Sequence, residues 1–485
     1  MAYGFSVFWL PLSRALGVTQ PVACPDLTLG RALFTTTCDW RVADLGWMYT
    51  LFFVFLGSSA AMWGGWLERA GPRKAGVVSA VCWCGGIVIA AIGVIVHQLW
   101  IMWLGGGVIG GIGLGLGYIS PVSTLVKWFP DRRGMATGMA IMGFGGGAMI
   151  GAPLANLLMT YFRTPTSVGV WETFIVLAAI YFVFMMSGAF AYRVPPQDFA
   201  RAASPRQPVV VSSVHYRDAP KSRQFWLIWA VLCLNVSAGI GVIGMASPML
   251  QEIFGASAAV AAGFTGLISL FNIGGRFFWA SLSDRIGRKA TYATFFLLGI
   301  LLYAGAPSLA RAGSQAAFVL AICVIVSMYG GGFATIPAYL ADTFGTQYVG
   351  AIHGRLLTAW STAGIIGPVL VNYIREAQIA AGVPRQQVYD FTMYILAGLL
   401  VVGFIANALV KPLPECWFKN PEPGTPNPEA RTPNSEPRTA DAGPGRPRAA
   451  FDARAALAWT AVGIPIAWGA WVTFTQALVL FSGGA

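Results

Sequence analysis

The chain has 485 residues, of which 56% are hydrophobic and only 10% are charged, and its formal net charge is +12. Because a soluble globular domain is about a quarter charged, this composition excludes an ordinary soluble protein and indicates a membrane protein. The lengths of the apolar runs favour helices over a membrane β-barrel, whose strands are about ten residues of alternating polarity.

Apolar runs of membrane-spanning length recur along most of the chain. A helix that crosses the ~30 Å hydrocarbon core of a bilayer needs about 20 mainly apolar residues. Thirteen runs are candidates, twelve before a polar tail and one after it. In chain order they lie at residues 1–16, 46–66, 75–96, 99–127, 135–161, 171–192, 225–247, 259–282, 290–310, 316–341, 350–374, 389–410 and 456–482. The sequence therefore predicts an all-α membrane protein.

The first of these runs is shorter than the others. Ten residues precede Pro11, whereas the similar stretch that ends at Pro248 belongs to a run that begins near Phe225. Because ten residues cannot span a bilayer as a helix, two interpretations remain. Either the start codon is misplaced or the first helix is truncated, and we favour the misplaced start.

Two of the seven cysteines, Cys24 and Cys38, fall in the loop after the first run. That loop would face an oxidising space if the membrane is a bacterial inner membrane, so the pair is a candidate disulfide. The sequence leaves open whether the bond forms. Four other cysteines lie in apolar runs, where packing explains them, and the last lies in the tail.

The basic residues are unevenly divided between two sets of loops. Sixteen lysines and arginines fall in one set, and seven, including Arg375, fall in the opposite set. Because cytoplasmic loops carry the excess of basic residues, this bias places the first set and the central loop in the cytoplasm. The bias explains the positive net charge, and since no nucleic-acid-binding motif accompanies it, no nucleic-acid partner is expected.

The two halves of the chain repeat each other. The loop WLERAGPRK aligns with LSDRIGRK, and Glu68 then stands opposite Asp284 at an offset of 284 − 68 = 216 residues. The same offset pairs Pro121 with Pro337. These matches at one offset predict two parallel six-helix halves.

These patterns divide the chain into five segments. They are an N-terminal six-helix half (1–192), a cytoplasmic linker (193–223), a C-terminal six-helix half (224–411), a Pro-rich linker (412–455) and an extra transmembrane helix (456–485). The Pro-rich linker is too polar to bury a core and is expected to be disordered. Because the last helix follows this tether, we expect it to dock against the bundle rather than to belong to it.

Both halves carry a charged loop in which an acid and a base precede a glycine and further bases. The residues are Gly64, Glu68, Arg69, Gly71 and Arg73 in the first copy, and Asp284, Arg285, Gly287 and Arg288 in the second. Ala280 replaces the leading glycine of the second copy. A requirement for positive charge alone would explain the bases but not the acid and the glycine at fixed spacing.

These loops resemble the signature of the major facilitator superfamily, which implies a bundle of two six-helix halves. Further stretches resemble the oxalate/formate antiporter family within it, namely YGFSVFWLPLSRALG, LGSSAAMWGGWLERAGPRKAG, KWFPDRRGMATG, LNVSAGIGVIGMASP and LTAWSTAGIIGP. The resemblance covers residues 1–411 and implies that the charged loops gate the cytoplasmic face, with Asp284 and Arg285 in a charge network. The terminal helix resembles a small one-helix subunit of some members, fused here to the transporter.

One permanent cation, Arg276, lies inside an apolar run, 284 − 276 = 8 residues before Asp284. At ~1.5 Å per residue this is about 12 Å from the loop, near the midplane of the bilayer. No acid lies deep inside another predicted helix, so binding of an anionic substrate is favoured over a structural ion pair. A carboxylate suits the two-pronged guanidinium, and by the resemblance the same arginine binds the carboxylate in the family.

The residues around Arg276 favour a substrate of low charge. The family's oxalate exchanger has a lysine where this chain has Trp360. One cation with aromatic walls from Trp360, Tyr118, Tyr329 and Tyr3 would suit a small monocarboxylate better than a dianion. Each of these aromatic residues, taken alone, is as compatible with packing as with lining a site.

Other functional classes find little support. The glycine-rich stretch 105–117 lacks the preceding strand of a dinucleotide-binding loop, and no phosphate-binding loop motif occurs. The histidines His97, His215 and His353 are too dispersed for a metal site, and no nucleophile–base set lies in the bundle. No enzyme activity, metal or cofactor is therefore expected.

The sequence thus predicts a secondary transporter of small organic anions that works by alternating access. It is expected to be a monomer that crosses the plasma (inner) membrane many times. Anion exchange is favoured because no titratable relay is visible inside the membrane. The alternatives are a proton-coupled monocarboxylate symporter and a non-transporting membrane sensor with the same fold.

Overall fold

The structure is a computed structural model, and it describes residues 2–20, 22–24, 28–128, 133–193, 213–345, 348–418 and 453–480. Most residues in these ranges are helical. Eleven helices in this part of the chain are long and apolar enough to cross a membrane. The expectation of an all-α, multi-pass membrane protein is confirmed.

The helices are numbered in chain order. The N-terminal group contains α1 (Trp9–Leu12), α2 (Leu29–Ala32), α3 (Val42–Ala70), α4 (Pro72–Ile95), α5 (Leu99–Met102), α6 (Gly110–Trp128), α7 (Arg133–Phe162) and α8 (Val170–Ala191). The C-terminal group contains α9 (Arg223–Gly244), α10 (Ala246–Phe254), α11 (Ala258–Ile286), α12 (Arg288–Arg311), α13 (Gln315–Phe344), α14 (Val349–Leu356), α15 (Thr358–Ala380) and α16 (Asp390–Leu409). A further helix, α17 (Ala453–Leu478), follows.

The first apolar run is short in the structure as well. A 3₁₀ turn (Ala2–Phe8) leads into α1, and the apolar helical stretch extends over Tyr3–Leu12. Phe8 and Leu12 are fully buried, so this short segment belongs to the core of the bundle. The hypothesis of a misplaced start codon stays a prediction.

The predicted runs at 225–247 and 350–374 are each divided between two helices in the structure. The first break follows from Pro248, which has no N–H to donate to the carbonyl of Gly244 four residues earlier. α9 ends at Gly244, and the indole Nε1 of Trp9 donates a hydrogen bond to that carbonyl (2.8 Å). The hydrogen bond that the proline removes from the helix is therefore replaced by α1, from the other half of the chain.

The charged loops are tight turns in both halves. Gly71 (φ +84°) connects α3 to α4, and Gly287 (φ +88°) connects α11 to α12. Side chains are strained at such positive φ values, whereas glycine adopts them readily. The glycine repeated between the two halves therefore allows one helix to follow another after a single residue.

Two helix pairs connect the N-terminal group to the C-terminal group. α3 packs along α15, and α7 packs along α11. Between the first pair, Ser361 Oγ donates to the Val54 carbonyl (3.1 Å), and Trp47 Nε1 donates to the Tyr373 hydroxyl (3.0 Å). We call the surface between the two groups of helices the seam.

The loop between α1 and α3 folds back on itself. Cys24 and Cys38 are joined by a disulfide in the structure. The buried Asp39 carboxylate accepts hydrogen bonds from the backbone N–H groups of Leu16 (2.7 Å) and Gly17 (3.0 Å). We call the end of the bundle that carries this loop the disulfide end, and the end that carries the charged loops the linker end.

His97, between α4 and α5, attaches the disulfide loop to the bundle. Its Nε2 donates to the Cys38 carbonyl (2.9 Å), and its ring stacks on Trp40 with centroids 3.9 Å apart. Burial lowers the pKa of His97 because the charged imidazolium would lose its hydration. The loop is therefore held by a neutral imidazole near pH 7.

The last described helix, α17, contacts both α7 and α11. The fully buried Thr473 donates from Oγ1 to the Met149 carbonyl of α7 (3.2 Å). Gly266 of α11 faces Thr473, and Gly469 of α17 faces Ile150, so small residues allow close approach on both sides. α17 therefore touches one helix from each side of the seam.

The two predicted linkers lie partly outside the described residues, which omit 194–212 and 419–452. At the described end of the first linker, the Val214 N–H donates to the Phe344 carbonyl (2.9 Å). The predicted segment boundaries, and the disorder of the Pro-rich linker, stay predictions.

Candidate functional site

Arg276 lies on the face of α11 that packs against α7. Ser269 and Asn272 share this face, since residues three, four and seven positions apart lie on one side of a helix. Ser269 Oγ donates to the Gly145 carbonyl of α7, and Arg276 Nε donates to Asn272 Oδ1 (2.9 Å). Because only 1% of Arg276 is exposed, its guanidinium is enclosed within the seam.

Arg276 has no acidic partner among the described residues. The ion pairs in that part of the chain are Arg41–Asp44, Lys221–Asp218, Arg288–Asp284, Arg288–Asp342, Arg311–Asp390, Arg375–Glu252, Arg375–Glu376 and Arg385–Glu252. A charge in the interior of a membrane costs ~2.5 kcal/mol or more, and it is normally compensated by a partner or a water-filled cavity. A ligand from outside the chain would supply the missing negative charge.

Aromatic rings lie beside the guanidinium. The Cζ of Arg276 is 5.6 Å from the ring centre of Phe333, within range of a cation–π interaction. The Phe333 ring packs on Trp360 with centroids 4.5 Å apart, and Trp360 also contacts Tyr118 (5.3 Å) and Phe144 (5.4 Å). The rings come from helices on both sides of the seam.

The remaining predicted aromatic residues complete this group. The hydroxyls of Tyr3 and Tyr329 share a hydrogen bond (2.7 Å) across the seam, and the ring of Tyr3 packs on Phe144 (4.9 Å). Tyr3, Tyr118, Tyr329 and Trp360 are thus brought together, and we call them, with Phe144 and Phe333, the aromatic box. Phe144 and Phe333 were not predicted from the sequence, although both adjoin runs of glycine, GFGGG and GGGF, that mark close helix packing.

Several buried donors in this region have no hydrogen-bond partner among the described residues. They are Arg276 Nη1, Asn272 Nδ2, the Tyr118 hydroxyl and Trp360 Nε1. Buried polar groups are normally paired, so a cluster of unpaired donors is unusual. Because all of these groups can donate a hydrogen bond, the region is suited to a small ligand with several acceptor oxygens.

The charged loops form contacts at the linker end. Arg288 forms an ion pair with Asp284, and its Nε lies 3.6 Å from the carboxylate of Asp342 on α13. Asp342 was not singled out from the sequence, and Arg285 is exposed. Arg73 Nη2 donates to the Tyr192 carbonyl (3.5 Å). The gating residues Gly64, Glu68 and Arg69 lie outside the residues whose side chains the structure describes.

A second buried arginine was misassigned from the sequence. Arg375 was assigned to a loop, but it lies within α15 and only 3% of it is exposed. Its Nε donates to Glu252 (2.9 Å) and its Nη1 to Glu376 (2.8 Å), while the Tyr389 hydroxyl also donates to Glu252 (2.6 Å). Glu252, on α10, is 375 − 252 = 123 residues away, so no local pattern shows the pairing.

Relatives of the chain include carriers of carboxylates. It is 29% identical to the oxalate:formate antiporter of Oxalobacter formigenes over 53% of this chain and 59% of that protein, less than two thirds of its length. It is 24% identical to apicoplast pyruvate carrier 1 of Toxoplasma gondii, over 65% of this chain and 66% of the carrier. It is 25% identical to human (Homo sapiens) monocarboxylate transporter 11, over 84% and 80%.

Solved structures agree on the fold. A D-xylose–proton symporter aligns with a TM-score of 0.61 at 14% identity, covering 85% of this chain and 97% of the symporter. The transporter FucP in its outward conformation aligns with a TM-score of 0.52 at 13% identity, covering 85% and 98%. The family model of the Major Facilitator Superfamily matches residues 1–368. The chain therefore belongs to the Major Facilitator Superfamily and is a membrane transporter rather than an enzyme.

Proposed function

We propose that the protein carries small organic carboxylates by alternating access and that Arg276 binds the carboxylate. The observation that carries this proposal is a guanidinium, 1% exposed, that has no acidic partner among the described residues. A carboxylate would satisfy both its charge and its unpaired Nη1. The site lies in the seam, where movement of one half against the other would expose it to either side.

The preferred substrate is proposed to be a monocarboxylate. Arg276 supplies one positive charge, and the position that resembles the second cation of an oxalate carrier holds the apolar ring of Trp360. Relatives named for formate, pyruvate and monocarboxylates are consistent with such a substrate. A dianion would leave one negative charge without a partner inside the aromatic box.

Exchange of one anion for another is the proposed mode. A proton-coupled carrier normally has a titratable group in its membrane pathway, and no acid contacts Arg276 in the part of the chain that the structure describes. The alternatives are a proton-coupled symporter, whose uptake would follow an imposed pH gradient, and a non-transporting sensor, which would bind a carboxylate without moving it. Exchange requires instead an anion on the opposite side.

The linker end is proposed to face the cytoplasm of a bacterial cell, with the disulfide end in the oxidising space outside. The basic residues of the charged loops and the disulfide between Cys24 and Cys38 both support this orientation. The charged loops would then gate the inner face, and Arg288 connects its own loop to α13 through Asp284 and Asp342. This orientation is tested by replacing either Arg163 or Arg217 with a single cysteine and treating whole cells with a membrane-impermeant thiol reagent. Only the cysteine at position 163 should react.

We further propose that α17 docks on its own bundle in a monomeric protein. The hydrogen bond from Thr473 to Met149 and the close approach of Gly469 to Ile150 support this arrangement. A cysteine pair at positions 469 and 150 should therefore crosslink within one chain. Crosslinking only between two chains would contradict both the docking and the monomer.

The function is tested by uptake of labelled formate, lactate, pyruvate and oxalate into proteoliposomes loaded with an unlabelled carboxylate. Wild type should show saturable uptake, and Arg276→Gln should reduce it by roughly 10-fold to 100-fold, since the charge-assisted hydrogen bond from Nη1, worth ~1.5–3 kcal/mol, is lost. The matched control is Arg163→Gln, which removes an exposed arginine between α7 and α8. The control should retain uptake.

Two results would contradict the proposal. Equal uptake by wild type and Arg276→Gln would show that the arginine is structural. Binding of a carboxylate to wild type without any flux would favour the sensor.

A further inference from the structure

We propose that Asn272 is a second anion ligand of this site, with its amide Nδ2 donating to the same carboxylate that Arg276 binds. The inference rests on the proposed function and deepens it. Through Oδ1, Asn272 also positions the guanidinium. Both roles use a neutral amide, so neither requires Asn272 to gain or lose a proton.

Only one end of the Asn272 amide has a hydrogen-bond partner in the described part of the chain. Asn272 is fully buried, its Oδ1 accepts from Arg276 Nε (2.9 Å), and its Nδ2 has no partner among the described residues. The hydrogen bond with Arg276 assigns the orientation of the amide. In the flipped orientation Asn272 Nδ2 would face Arg276 Nε, and both groups are donors. Nδ2 is therefore left as a buried, unpaired donor beside the charge.

The contact with Asn272 restricts the orientation of the Arg276 guanidinium. Asn272 and Arg276 are four positions apart and neighbours on one face of α11. Nε is occupied by Asn272 and the guanidinium also interacts with the Tyr3 hydroxyl, whereas Nη1 is unpaired in the described part of the chain and remains for a ligand. A carboxylate bound at Nη1 could accept from Arg276 with one oxygen and from Asn272 with the other.

Neighbouring helices confine the pair of Asn272 and Arg276. A Cβ on Gly145 of α7 would lie 2.8 Å from Asn272 Oδ1 and 3.0 Å from Arg276 Nε. A Cβ on Gly330 of α13 would lie 2.8 Å from the same Oδ1. These glycines leave room for the two polar groups but for little movement, which is the preorganisation that a binding site requires.

The neutral amide also affects which substrate charge the site prefers. A second cation would favour a dianion, whereas a neutral amide adds a hydrogen bond without adding charge. The pair Asn272 and Arg276 therefore recognises one carboxylate of charge −1. An aspartate at position 272 would itself supply that carboxylate and occupy Arg276.

The test compares Asn272→Asp and Asn272→Leu with wild type in the full-length protein. The matched control is Asn235→Asp, since Asn235 is also a buried asparagine but contacts Gly332 rather than Arg276. Thermal stability is measured with and without formate, lactate, pyruvate or oxalate, and KM and Vmax are measured by uptake into proteoliposomes.

Wild type and the control should be stabilised by a carboxylate. Asn272→Asp should fold, show no stabilisation by any of the four anions, and lose uptake. Asn272→Leu should raise KM roughly tenfold or more, with Vmax of the folded fraction changed much less. A merely structural asparagine would instead lower the yield or Vmax and leave KM unchanged.

The outcomes separate this inference from the proposed function. If wild type responds to a carboxylate and Arg276→Gln does not, but Asn272→Asp keeps the wild-type KM and thermal response, the inference is overturned and the proposed function stands. If wild type responds to none of the four anions, both are overturned. If Asn272→Leu fails to fold, Asn272→Ala replaces it, because it removes the same amide without adding a charge, and an unchanged KM in Asn272→Ala overturns the inference.

Discussion

The two buried arginines of the C-terminal half show how differently one residue type is used within a single bundle. Arg276 is 1% exposed and Arg375 is 3% exposed, so both residues are almost completely shielded from water. Arg375 contacts the carboxylates of Glu252 and Glu376, whereas Arg276 contacts a neutral amide and an aromatic ring. Where the chain provides the acid, the arginine is a structural element. Where it provides none, we propose that the substrate does.

Their positions explain the difference. The cluster around Arg375 lies at the disulfide end and connects three helices of the C-terminal half, through Glu252 on α10 and Tyr389 just before α16. It contains two bases, Arg375 and Arg385, and two acids, Glu252 and Glu376. Arg276 lies in the seam between the halves, where a permanent ion pair would resist the alternating access that we propose.

The largest effect on stability is expected from Arg375→Met. Removing one partner of a buried ion pair leaves Glu252 without its main countercharge, which typically costs ~3–5 kcal/mol. Thermal unfolding of the purified protein should show a large loss of stability for Arg375→Met and little loss for Arg276→Gln. If the two variants are destabilised equally, the distinction between a structural and a substrate-binding arginine is wrong.

Trp360→Lys should sharpen the comparison by adding a second cation beside Arg276. The new charge would favour a dianion, so oxalate should compete with labelled formate roughly tenfold better than in wild type, a change of ~1.4 kcal/mol. The control is Trp360→Phe, which keeps an aromatic ring against Phe333 without adding charge. An unchanged ratio of oxalate to formate affinity would mean that Trp360 does not line the site.

The smallest effect is expected from Gly145→Ala, which adds one methyl group against the Arg276–Asn272 pair. The new Cβ would lie 2.8 Å from Asn272 Oδ1 and 3.0 Å from Arg276 Nε, so the pair must shift by a few tenths of an ångström. We expect KM for a carboxylate to rise by about threefold to tenfold, in keeping with a loss of ~1 kcal/mol from a distorted hydrogen bond. Gly143→Ala, on the same helix but facing open space, should leave KM unchanged.

The sequence by itself determined the class of protein, nearly all of the spanning helices and the anomaly at Arg276. Hydropathy and helix length are properties of short stretches, and a charge inside an apolar run is visible without knowledge of its neighbours. The repeated loops with Gly71 and Gly287 were visible for the same reason, because a tight turn needs its glycine locally.

Only the tertiary structure decided which groups meet. The pairing of Arg375 with Glu252, the hydrogen bond from Trp9 that replaces the one lost at Pro248, and the contact of Phe333 with Arg276 join residues from different helices. Such contacts depend on how each helix is rotated and shifted against its neighbours, and hydropathy is nearly blind to that rotation when a helix is apolar on all sides. Asn272 combines both kinds of feature. Its position one turn before Arg276 is visible in the sequence, whereas only the packing of the helices shows that its Nδ2 is unpaired in the described part of the chain.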